Sequence, residues 1–319
     1  MPLQVQVMRG RRTLVLALAL TLLIALAGCS GEGDGAAPET GMDASVSIDA
    51  AAPDAIAEPH DAAVDAGPSE TIHYFGRFDT TDAAGPRFAF PGSAIAATFT
   101  GTGIDVMLAD QNQNYFDLVI DGAAPVTIMT QGTQSYTLAK DLAPGTHTVV
   151  LTKITESFQG IVQLQALTPK DGALTPTPFP FARRIEMIGD SITCGYGVLG
   201  ATGCTFTPAT EDEDAAWGAL AARQLNAVHT AIAYSGRGVY RNYDATTTDV
   251  MPMIWRRTFA DDAMSSWDTT KFSPDVVVIN LGTNDFAKGD PGSAFVTAYS
   301  GFLVALRSAY PQAYFVCVV

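Results

Sequence analysis

The sequence predicts an α/β protein in which an N-terminal β-sandwich domain precedes an α/β domain built on a parallel sheet. Residues 71–168 contain short apolar runs, alternating with polar residues and separated by turn dipeptides, which is typical of a β-sandwich. Residues 182–319 alternate apolar strand-like runs with helical stretches, as parallel sheets with right-handed crossovers require. At roughly 150 residues per domain, a chain of 319 residues has room for both.

The composition is that of a folded, acidic protein. It is 47% hydrophobic and has 33 acidic against 18 basic residues, with a formal net charge of −15. The apolar fraction excludes a wholly disordered chain and can fill a sizeable core. The negative charge argues against a nucleic-acid partner, because a phosphate backbone is bound by a basic surface.

Residues 1–29 predict an export signal. Arginines precede the apolar run Leu14–Ala27, which is shorter than the roughly 20 residues of a spanning helix. The sequence Leu26-Ala27-Gly28-Cys29 resembles a bacterial lipobox, whose cysteine becomes the lipid-modified first residue of the mature protein. We therefore expect an exported protein held by acyl chains at Cys29 on the cell surface or the periplasmic face of a membrane. An ordinary signal peptide with an incidental cysteine is the alternative.

Residues 30–70 predict a disordered acidic linker rich in Ala, Asp and Pro. The segment has ten acidic residues, no Lys or Arg and no aromatic residue. Such a segment cannot bury enough surface to offset its ordering entropy, so we expect a tether between membrane and globular body. Its aspartates lack the D-x-D-x-D-G spacing of a calcium loop.

The sandwich prediction depends on clear strand and turn signals. Ile104, Val106 and Leu108 alternate with more polar residues, and the run 116–120 leads into the turn dipeptide Asp121-Gly122. The proline-rich stretch 169–181 is predicted to be the connector between the domains.

In residues 182–319 the predicted strands are 184–188, 227–235, 275–281 and 313–319, and the predicted helices are 212–225 and 293–310. The acidic residues 211–214 would lie at the positive end of the first helix dipole. The run 275–281 is almost continuously apolar, as expected for a strand covered on both faces. Ligands of such sheets bind just beyond the carboxyl ends of the strands.

Three glycine-containing segments follow the predicted strands: Gly189-Asp190-Ser191, Ser235-Gly236-Arg237-Gly238 and Gly282-Thr283-Asn284-Asp285. Together they offer a serine hydroxyl and three hydrogen-bond donors for one oxyanion, namely the N–H groups of Ser191 and Gly236 and the amide of Asn284. Each such donor is typically worth about 3–4 kcal/mol in a transition state. We expect Asp190 to brace its turn and Asp285 to order the loop that carries Asn284.

These segments resemble the first three blocks of the GDSL/SGNH hydrolases. The longer strings RRIEMIGDSITCGYG, AYSGRGVYRNY and VVVINLGTNDF resemble carbohydrate esterase family 2 more narrowly, as do PRFAFPGS, NYFDLVIDG and PGTHTVVLTK in the sandwich region. The resemblance runs from about residue 72 to the last residue. It implies a jelly-roll domain followed by a three-layer α/β/α SGNH hydrolase domain.

The resemblance also implies an activity, which is the removal of O-acetyl groups from polysaccharides or oligosaccharides by acyl-enzyme chemistry, as in acetyl xylan or mannan esterases. Ser191 is then the nucleophile, and Gly236 and Asn284 complete the oxyanion hole. Gly238 takes the place of Gly236 if the loop register shifts by two. We expect no metal or organic cofactor, because no zinc or calcium ligand spacing occurs.

One part of the SGNH pattern is missing. A serine nucleophile needs a general base, usually a histidine, which SGNH hydrolases carry in a final Asp-x-x-His block. His60, His73, His147 and His229 do not match it, and the chain ends in an apolar run without a covering helix. We therefore expect residues 182–319 to be an incomplete hydrolase domain and the 319-residue chain to show little turnover. A degenerate protein is the alternative.

Cys194 and Cys204 flank the loop after Ser191, and export permits disulfides, so we predict a local bridge worth ~2–3 kcal/mol. Two free thiols are the alternative. Cys317 lies in an apolar strand pattern and is expected to be an inert core thiol.

The sequence leaves two rival functions open, namely a GDSL lipase or thioesterase and a catalytically dead, sugar-binding surface lipoprotein. The sequence predicts no oligomeric state.

Overall fold

The computed structural model describes residues 70–179 and 181–318, together with the backbone of residues 6–9 and 12–14. Its strands are β1 Gln6–Arg9, β2 Arg12–Leu14, β3 His73–Phe75, β4 Arg87–Phe88, β5 Ala94–Gly101, β6 Gly103–Ile120, β7 Val126–Ala139, β8 Gly145–Lys153, β9 Val162–Lys170, β10 Leu174–Thr175, β11 Arg183–Gly189, β12 Ala227–Ala233, β13 Val276–Asn280 and β14 Tyr314–Val318. Its helices are α1 Ser191–Cys194, α2 Trp217–Gln224, α3 Met251–Ile254, α4 Thr283–Phe286 and α5 Ser293–Ala309.

The predicted lipid attachment site Cys29 and the predicted linker up to residue 69 lie outside the described residues. The predicted export signal also lies outside them, except for the backbone of β1 and β2. These interpretations stay predictions. Glu70, the last residue of the predicted linker, donates its N–H to the carbonyl of Thr177. Among the described residues, no helix combines the length and the apolar character needed to cross a bilayer.

Strands β3 to β10 form the sandwich domain, and all of them belong to one continuous sheet. The carboxyl half of β6 pairs with β8, and its amino half pairs with β9. A register shift between Asp110 and Gln113 in the pairing with β7 separates these two halves of β6. The two runs predicted as separate strands, 104–108 and 116–120, are therefore halves of one 18-residue strand.

The core of the sandwich domain explains why these runs alternate. Ile104, Val106 and Leu108 are fully buried and pack with Phe88 and Phe116 in one cluster. Because successive side chains of a strand point to opposite faces, Asp105 and Met107 between them point away from this cluster and are partly exposed. β10 lies inside the predicted connector and pairs with β5, so the sandwich sheet extends beyond the predicted boundary.

Strands β11 to β14 and helices α1 to α5 form the α/β domain. Its sheet has the order β12-β11-β13-β14-β1-β2, and the pairs β12/β11, β11/β13 and β13/β14 are parallel. The predicted parallel sheet is confirmed, and each of its predicted strands is present within two residues of the expected bounds. β1 and β2 add antiparallel strands at the β14 edge.

Helices cover both faces of this sheet. On one face, Val277 and Ile279 of β13 pack in the same core cluster as Phe302 and Leu306 of α5. On the other face, Met187 of β11 packs beneath α2. The resulting arrangement is the expected three-layer α/β/α domain.

The first predicted helix is shorter than expected, since α2 begins at Trp217 and not near residue 212. The N–H of Asp212 donates to the carbonyl of Gly195, and the N–H of Glu213 donates to the carbonyl of Ile154. These bonds to distant segments hold the backbone out of the helix. The acidic residues before α2 therefore do not occupy its first turn, and the predicted dipole contact is wrong.

The two domains share a buried interface. Phe75 and Ala94 of the sandwich domain pack against Val228 of β12. Arg77 reaches from the sandwich domain into the α/β domain, where it is 1% exposed. Its guanidinium donates to the carbonyls of Trp255 and Arg257 and lies 3.6 Å from the carboxylate of Glu186. The domains are therefore joined by a buried ion pair as well as by apolar contact.

We expect Arg77→Met to lower the free energy of unfolding by about 3–5 kcal/mol, because it leaves Glu186 buried without its cation. The matched control is Arg223→Met, which removes the ion pair between Arg223 and Asp214. The Arg223 side chain is 49% exposed. That control should cost less than about 1 kcal/mol. Urea unfolding at neutral pH measures both losses, and equal losses would contradict the prediction.

Candidate active site

The carboxyl end of β11, the strand that pairs with both β12 and β13, carries Ser191. β11 ends at Gly189, and Ser191 is the first residue of α1. The Asp190 carboxylate accepts the N–H of Ile192 at 3.0 Å and so caps this short helix. A side chain at position 189 would collide with Thr193, since an added Cβ would lie 1.9 Å from its hydroxyl oxygen. Glycine at 189 therefore allows the tight turn that presents Ser191, which is partly exposed.

Asn284 connects the loops that follow β11, β12 and β13. It lies in α4, directly after β13, and is 6% exposed. Its amide nitrogen donates to the Asp190 carboxylate at 3.1 Å and to the carbonyl of Arg237 at 2.9 Å. The three segments singled out in the sequence therefore meet at one edge of the sheet, as predicted.

Asp285 holds the loop after β12. Its buried carboxylate accepts the backbone N–H groups of Val239, Tyr240 and Arg241 at 2.9, 2.7 and 3.0 Å. Arg241 in turn donates its side-chain N–H to the carbonyl of Asp285 at 2.8 Å. We expected Asp285 to order its own loop, but its carboxylate orders the neighbouring loop that carries Gly236.

Gly236 and Gly238, the two glycine candidates for the oxyanion hole, differ in their surroundings. Gly236 has a φ of +78°, which favours glycine, and it is partly exposed. Neither its N–H nor that of Ser191 donates to any described residue. Gly238 is buried and directs its N–H to Asn242 at 3.3 Å. The geometry thus favours Gly236 over Gly238 as a donor to a ligand.

The arrangement can stabilise a negatively charged oxygen. Two backbone N–H groups, those of Ser191 and Gly236, are available at the partly exposed end of the sheet. The Asn284 amide is engaged with Asp190 and the Arg237 carbonyl, so it must exchange one of these acceptors to reach an oxyanion. Hydrogen bonds of catalytic groups often tighten only in the complex with substrate.

None of the described histidines lies at this end of the sheet. His229 sits on β12 opposite Ile185, four residues before the Ala233–Gly189 pair that ends the strand pairing, and it contacts Glu213 at 2.9 Å. His73 bonds to the Thr177 carbonyl, and His147 bonds to Asp121. His60 lies outside the described residues.

A cavity of about 750 Å³ lies between the domains and is lined by His73, Asp117 and His229, among others. Ser191, Gly236 and Asn284 do not line it. The cavity is therefore separate from the candidate active site.

The predicted disulfide between Cys194 and Cys204 is wrong in this structure. Cys194 is a free and fully buried thiol whose sulfur lies 3.6 Å from the carboxylate of Glu156. Burial raises the pKa of this thiol, which keeps it neutral. Cys204 lies in the more exposed loop beside Gly200. Ten residues of separation suggested a bridge, but Cys194 faces inward at the domain interface. Cys317 is partly buried and its thiol pKa is raised by burial, as expected for an inert thiol.

Glu156, Cys194 and Glu211 form a buried cluster with potential metal-ligand atoms within 4.8 Å of one another. Both carboxylate oxygens of Glu156 already accept hydrogen bonds from Ser235. The buried ammonium of Lys153 donates to the Glu156 carbonyl at 3.1 Å and supplies a positive charge beside the cluster. The protein itself thus supplies hydrogen-bond donors to the Glu156 carboxylate and a positive charge beside the cluster. Sequence reasoning missed Glu156, which no motif marks.

A cluster of aromatic side chains begins at Tyr196, in the loop after Ser191. Tyr196 stacks on Phe206 with ring centroids 3.8 Å apart, and its N–H donates to the Ser191 carbonyl. Phe158 of the sandwich domain lies within 6.2 Å of the rings of Phe206 and Tyr234. Tyr196 is 46% exposed and Phe158 38% exposed, so both domains present aromatic surface to a ligand.

Comparisons with known proteins agree with this geometry. Two family profiles match the chain, Carbohydrate esterase 2 N-terminal over residues 74–178 and GDSL-like Lipase/Acylhydrolase family over residues 187–319. The chain is 38% identical over 251 residues to Cellulase/esterase CelE of Acetivibrio thermocellus, covering 78% of this chain and 31% of that protein. It is 29% identical to an Acetylxylan esterase / glucomannan deacetylase of Cellvibrio japonicus, covering 76% and 69%. The chain therefore spans about a third of the first of these relatives.

Solved structures show the same similarity. A family two carbohydrate esterase from Clostridium thermocellum in complex with cellohexaose is 38% identical, with a TM-score of 0.72 and coverage of 76% of this chain and 75% of that one. Another structure, 27% identical with a TM-score of 0.67, covers 76% and 77% and is described as a carbohydrate esterase whose active site displays divergent catalytic and non-catalytic binding functions.

The pKa of Asp190 provides a test of its burial. Burial raises this pKa from 3.8 to about 6. Between these pH values the Asp190 carboxyl keeps its proton in the folded protein and releases it in the unfolded chain. Its contribution to the free energy of unfolding therefore falls as the pH rises. From about pH 4 to about pH 6.5, wild type should lose about 2 kcal/mol of unfolding free energy relative to Asp190→Asn.

The matched control for this measurement is Asp244→Asn. The pKa of Asp244 is lowered, first by the hydroxyl of Thr246, so wild type should gain stability relative to that variant as pH rises. Denaturant unfolding at several pH values gives both differences. Parallel pH profiles of wild type and Asp190→Asn would contradict the raised pKa of Asp190.

Proposed function

Because the chain belongs to family 2 of the carbohydrate esterases, we propose that it is a serine esterase that removes O-acetyl groups from polysaccharides or oligosaccharides. The observation that carries this proposal is the meeting of the loops that carry Ser191, Gly236 and Asn284 at one edge of the sheet. The Asn284 amide joins them through its bonds to Asp190, which precedes Ser191, and to Arg237, which follows Gly236. The relatives named as acetylxylan esterases support the acetyl ester as the bond that is cleaved.

In this mechanism the Ser191 hydroxyl oxygen attacks the acetyl carbonyl carbon, and its proton passes to a general base. The carbonyl oxygen becomes an oxyanion that the N–H groups of Ser191 and Gly236 stabilise, with Asn284 as a third donor. Collapse of the tetrahedral intermediate breaks the bond between the acetyl carbon and the sugar oxygen, which takes the proton from the base, and leaves acetyl-Ser191. Water then attacks the acetyl carbon, which releases acetate and restores the Ser191 hydroxyl. Backbone donors held in place before the reaction need no reorganisation when charge develops.

A sugar substrate suits the surface around Ser191. Exposed aromatic rings bind the apolar faces of sugar rings. Tyr196 is exposed and bonded to the Ser191 carbonyl, and the exposed ring of Phe158 contacts Phe206, on which Tyr196 stacks. Since Phe158 belongs to the sandwich domain, the substrate would contact both domains. This favours a carbohydrate ester over the lipid or thioester substrates of other GDSL hydrolases.

Sugar binding without turnover is a second candidate function. It is favoured by the placement of His73, His147 and His229, none of which lies near Ser191 among the described residues. We therefore expect this chain to show little turnover. Acetate release from acetylated xylan, measured beside binding of unacetylated xylan, separates the two functions, because binding without acetate release supports the second.

Ser191→Ala should abolish the acetate release that the protein shows, because the variant lacks the hydroxyl that attacks the acetyl carbon. Losing the nucleophile of a serine hydrolase can cost on the order of a million-fold in kcat. Ser308→Ala, an exposed serine on α5, is the control and should keep full activity. Retained activity in Ser191→Ala would overturn the nucleophile assignment.

Asn284→Ala should lower kcat by about 10²- to 10³-fold with little change in KM, since an oxyanion donor acts mainly in the transition state. Asn112→Ala removes an exposed amide of the sandwich domain and should leave both constants unchanged. Steady-state kinetics with 4-nitrophenyl acetate measure the effect. A raised KM with an unchanged kcat would show that Asn284 binds substrate and does not stabilise the oxyanion.

A further inference from the structure

The sandwich domain reaches the candidate oxyanion hole through Glu156. This residue follows β8, is fully buried and contacts the loop after β12. One carboxylate oxygen accepts the backbone N–H of Ser235 at 2.7 Å, and the other accepts the Ser235 hydroxyl at 2.6 Å. Ser235 directly precedes Gly236. We propose that Glu156 is a positioning residue of the active site, which fixes Ser235 and thereby holds the Gly236 N–H beside Ser191.

The two hydrogen bonds fix the backbone nitrogen and the side chain of Ser235, and with them its Cα. The remaining rotation, about ψ of Ser235, is limited by the bonds from the N–H of Arg237 to the carbonyl of Tyr234 and from the N–H of Tyr243 to the carbonyl of Gly236. Gly236 has no side chain of its own to restrain it, and an added Cβ would meet only Tyr243, at 4.0 Å. Restraint on the Gly236 N–H therefore comes from its neighbours, from Ser235 on one side and from the loop bound by Asp285 on the other.

Glu156 is itself held in place by surrounding groups. Its backbone N–H donates to the carboxyl group of Glu211 at 3.0 Å, and its carbonyl accepts the Lys153 ammonium at 3.1 Å. Two ionised carboxylates cannot share such a dry site. Burial, followed by the charge of Glu156, raises the pKa of Glu211 to about 9. Burial also raises the pKa of Glu156, and the two donors of Ser235 oppose that shift, which favours Glu211 as the partner that holds the proton.

This arrangement gives the sandwich domain a role in the chemistry. The inference rests on the proposed esterase function for the role of the Gly236 N–H, but the positioning of Ser235 can be measured without any activity. A misplacement of about 1 Å in a catalytic group can cost about 100-fold in rate. Loss of the Glu156 carboxylate should therefore lower kcat while leaving KM close to its wild-type value.

Glu156→Ala is the main variant and Glu156→Gln its conservative partner. The glutamine oxygen can accept the Ser235 N–H, and its amide can donate to the Ser235 hydroxyl, so positioning is preserved. In both variants Glu211 can ionise and balance Lys153. The matched control is Glu213→Ala, which removes another fully buried glutamate of the interface, one that contacts His229 and not Ser235.

Amide hydrogen exchange of Ser235, followed by NMR on the 319-residue chain, is the first readout. We expect Glu156→Ala to speed exchange at Ser235 by at least about tenfold relative to the rest of its loop, and we expect wild-type protection in Glu156→Gln and Glu213→Ala. Unchanged protection in a folded Glu156→Ala overturns the proposal. So does an equal loss in Glu213→Ala, which would show a general loosening of the interface.

The rate of ester hydrolysis by the protein is the second readout. Glu156→Ala should lose about 100-fold in kcat with KM within about twofold of wild type, and Glu156→Gln should recover most of the loss. If Glu156→Ala does not fold, Ser235→Ala can be used instead. It removes the hydrogen bond from the Ser235 hydroxyl to Glu156 and should lower kcat about tenfold. Unchanged kcat in Ser235→Ala overturns the proposal. Failure of Ser191→Ala to abolish activity would instead refute the esterase mechanism and leave the exchange result standing.

Discussion

A carboxylate removed from water must find hydrogen-bond donors or a cation, and this requirement organises the protein. Four buried carboxylates, those of Glu156, Glu186, Asp190 and Asp285, find their partners in segments distant in sequence. Because each partner lies on a different loop or domain, each carboxylate links two parts of the chain. A link of this kind is costly to break, since the buried charge would then lack its donors.

Two of these links act at the candidate active site. Asp190 joins the α1 turn to Asn284, and Asp285 joins the loop after β13 to the loop after β12. The parallel sheet brings the three loops to one edge, but it does not fix the direction of individual N–H groups. The carboxylates do so, because each accepts donors at about 3 Å from defined positions. The loops of the site are therefore held in place before any substrate arrives, as transition-state stabilisation by fixed dipoles requires, and only the Asn284 amide has to exchange an acceptor.

The other two links join the domains. Glu186 of β11 pairs with Arg77 of the sandwich domain and accepts hydrogen bonds from Trp255 and Tyr310. Glu156 makes the opposite connection, from the sandwich domain to Ser235. With Phe158 at the same end of the interface, the sandwich domain contributes both surface and support to the site. It is thus an integral part of the site and more than an appended module.

The sequence by itself determined the fold class, the order of the two domains and the three segments of the site. Local patterns carried these predictions, since strand period, turn dipeptides and loops after apolar strands are read along the chain. Family 2 membership followed from motif strings that are likewise local. Only the tertiary structure decided the start of α2, the free state of Cys194, the choice of Gly236 over Gly238 and the partner of Asp285. It also revealed Arg77 and Glu156, because a buried charge is recognised by what surrounds it. Those surroundings come from residues about 80 to 180 positions away in the chain, and no local pattern contains them.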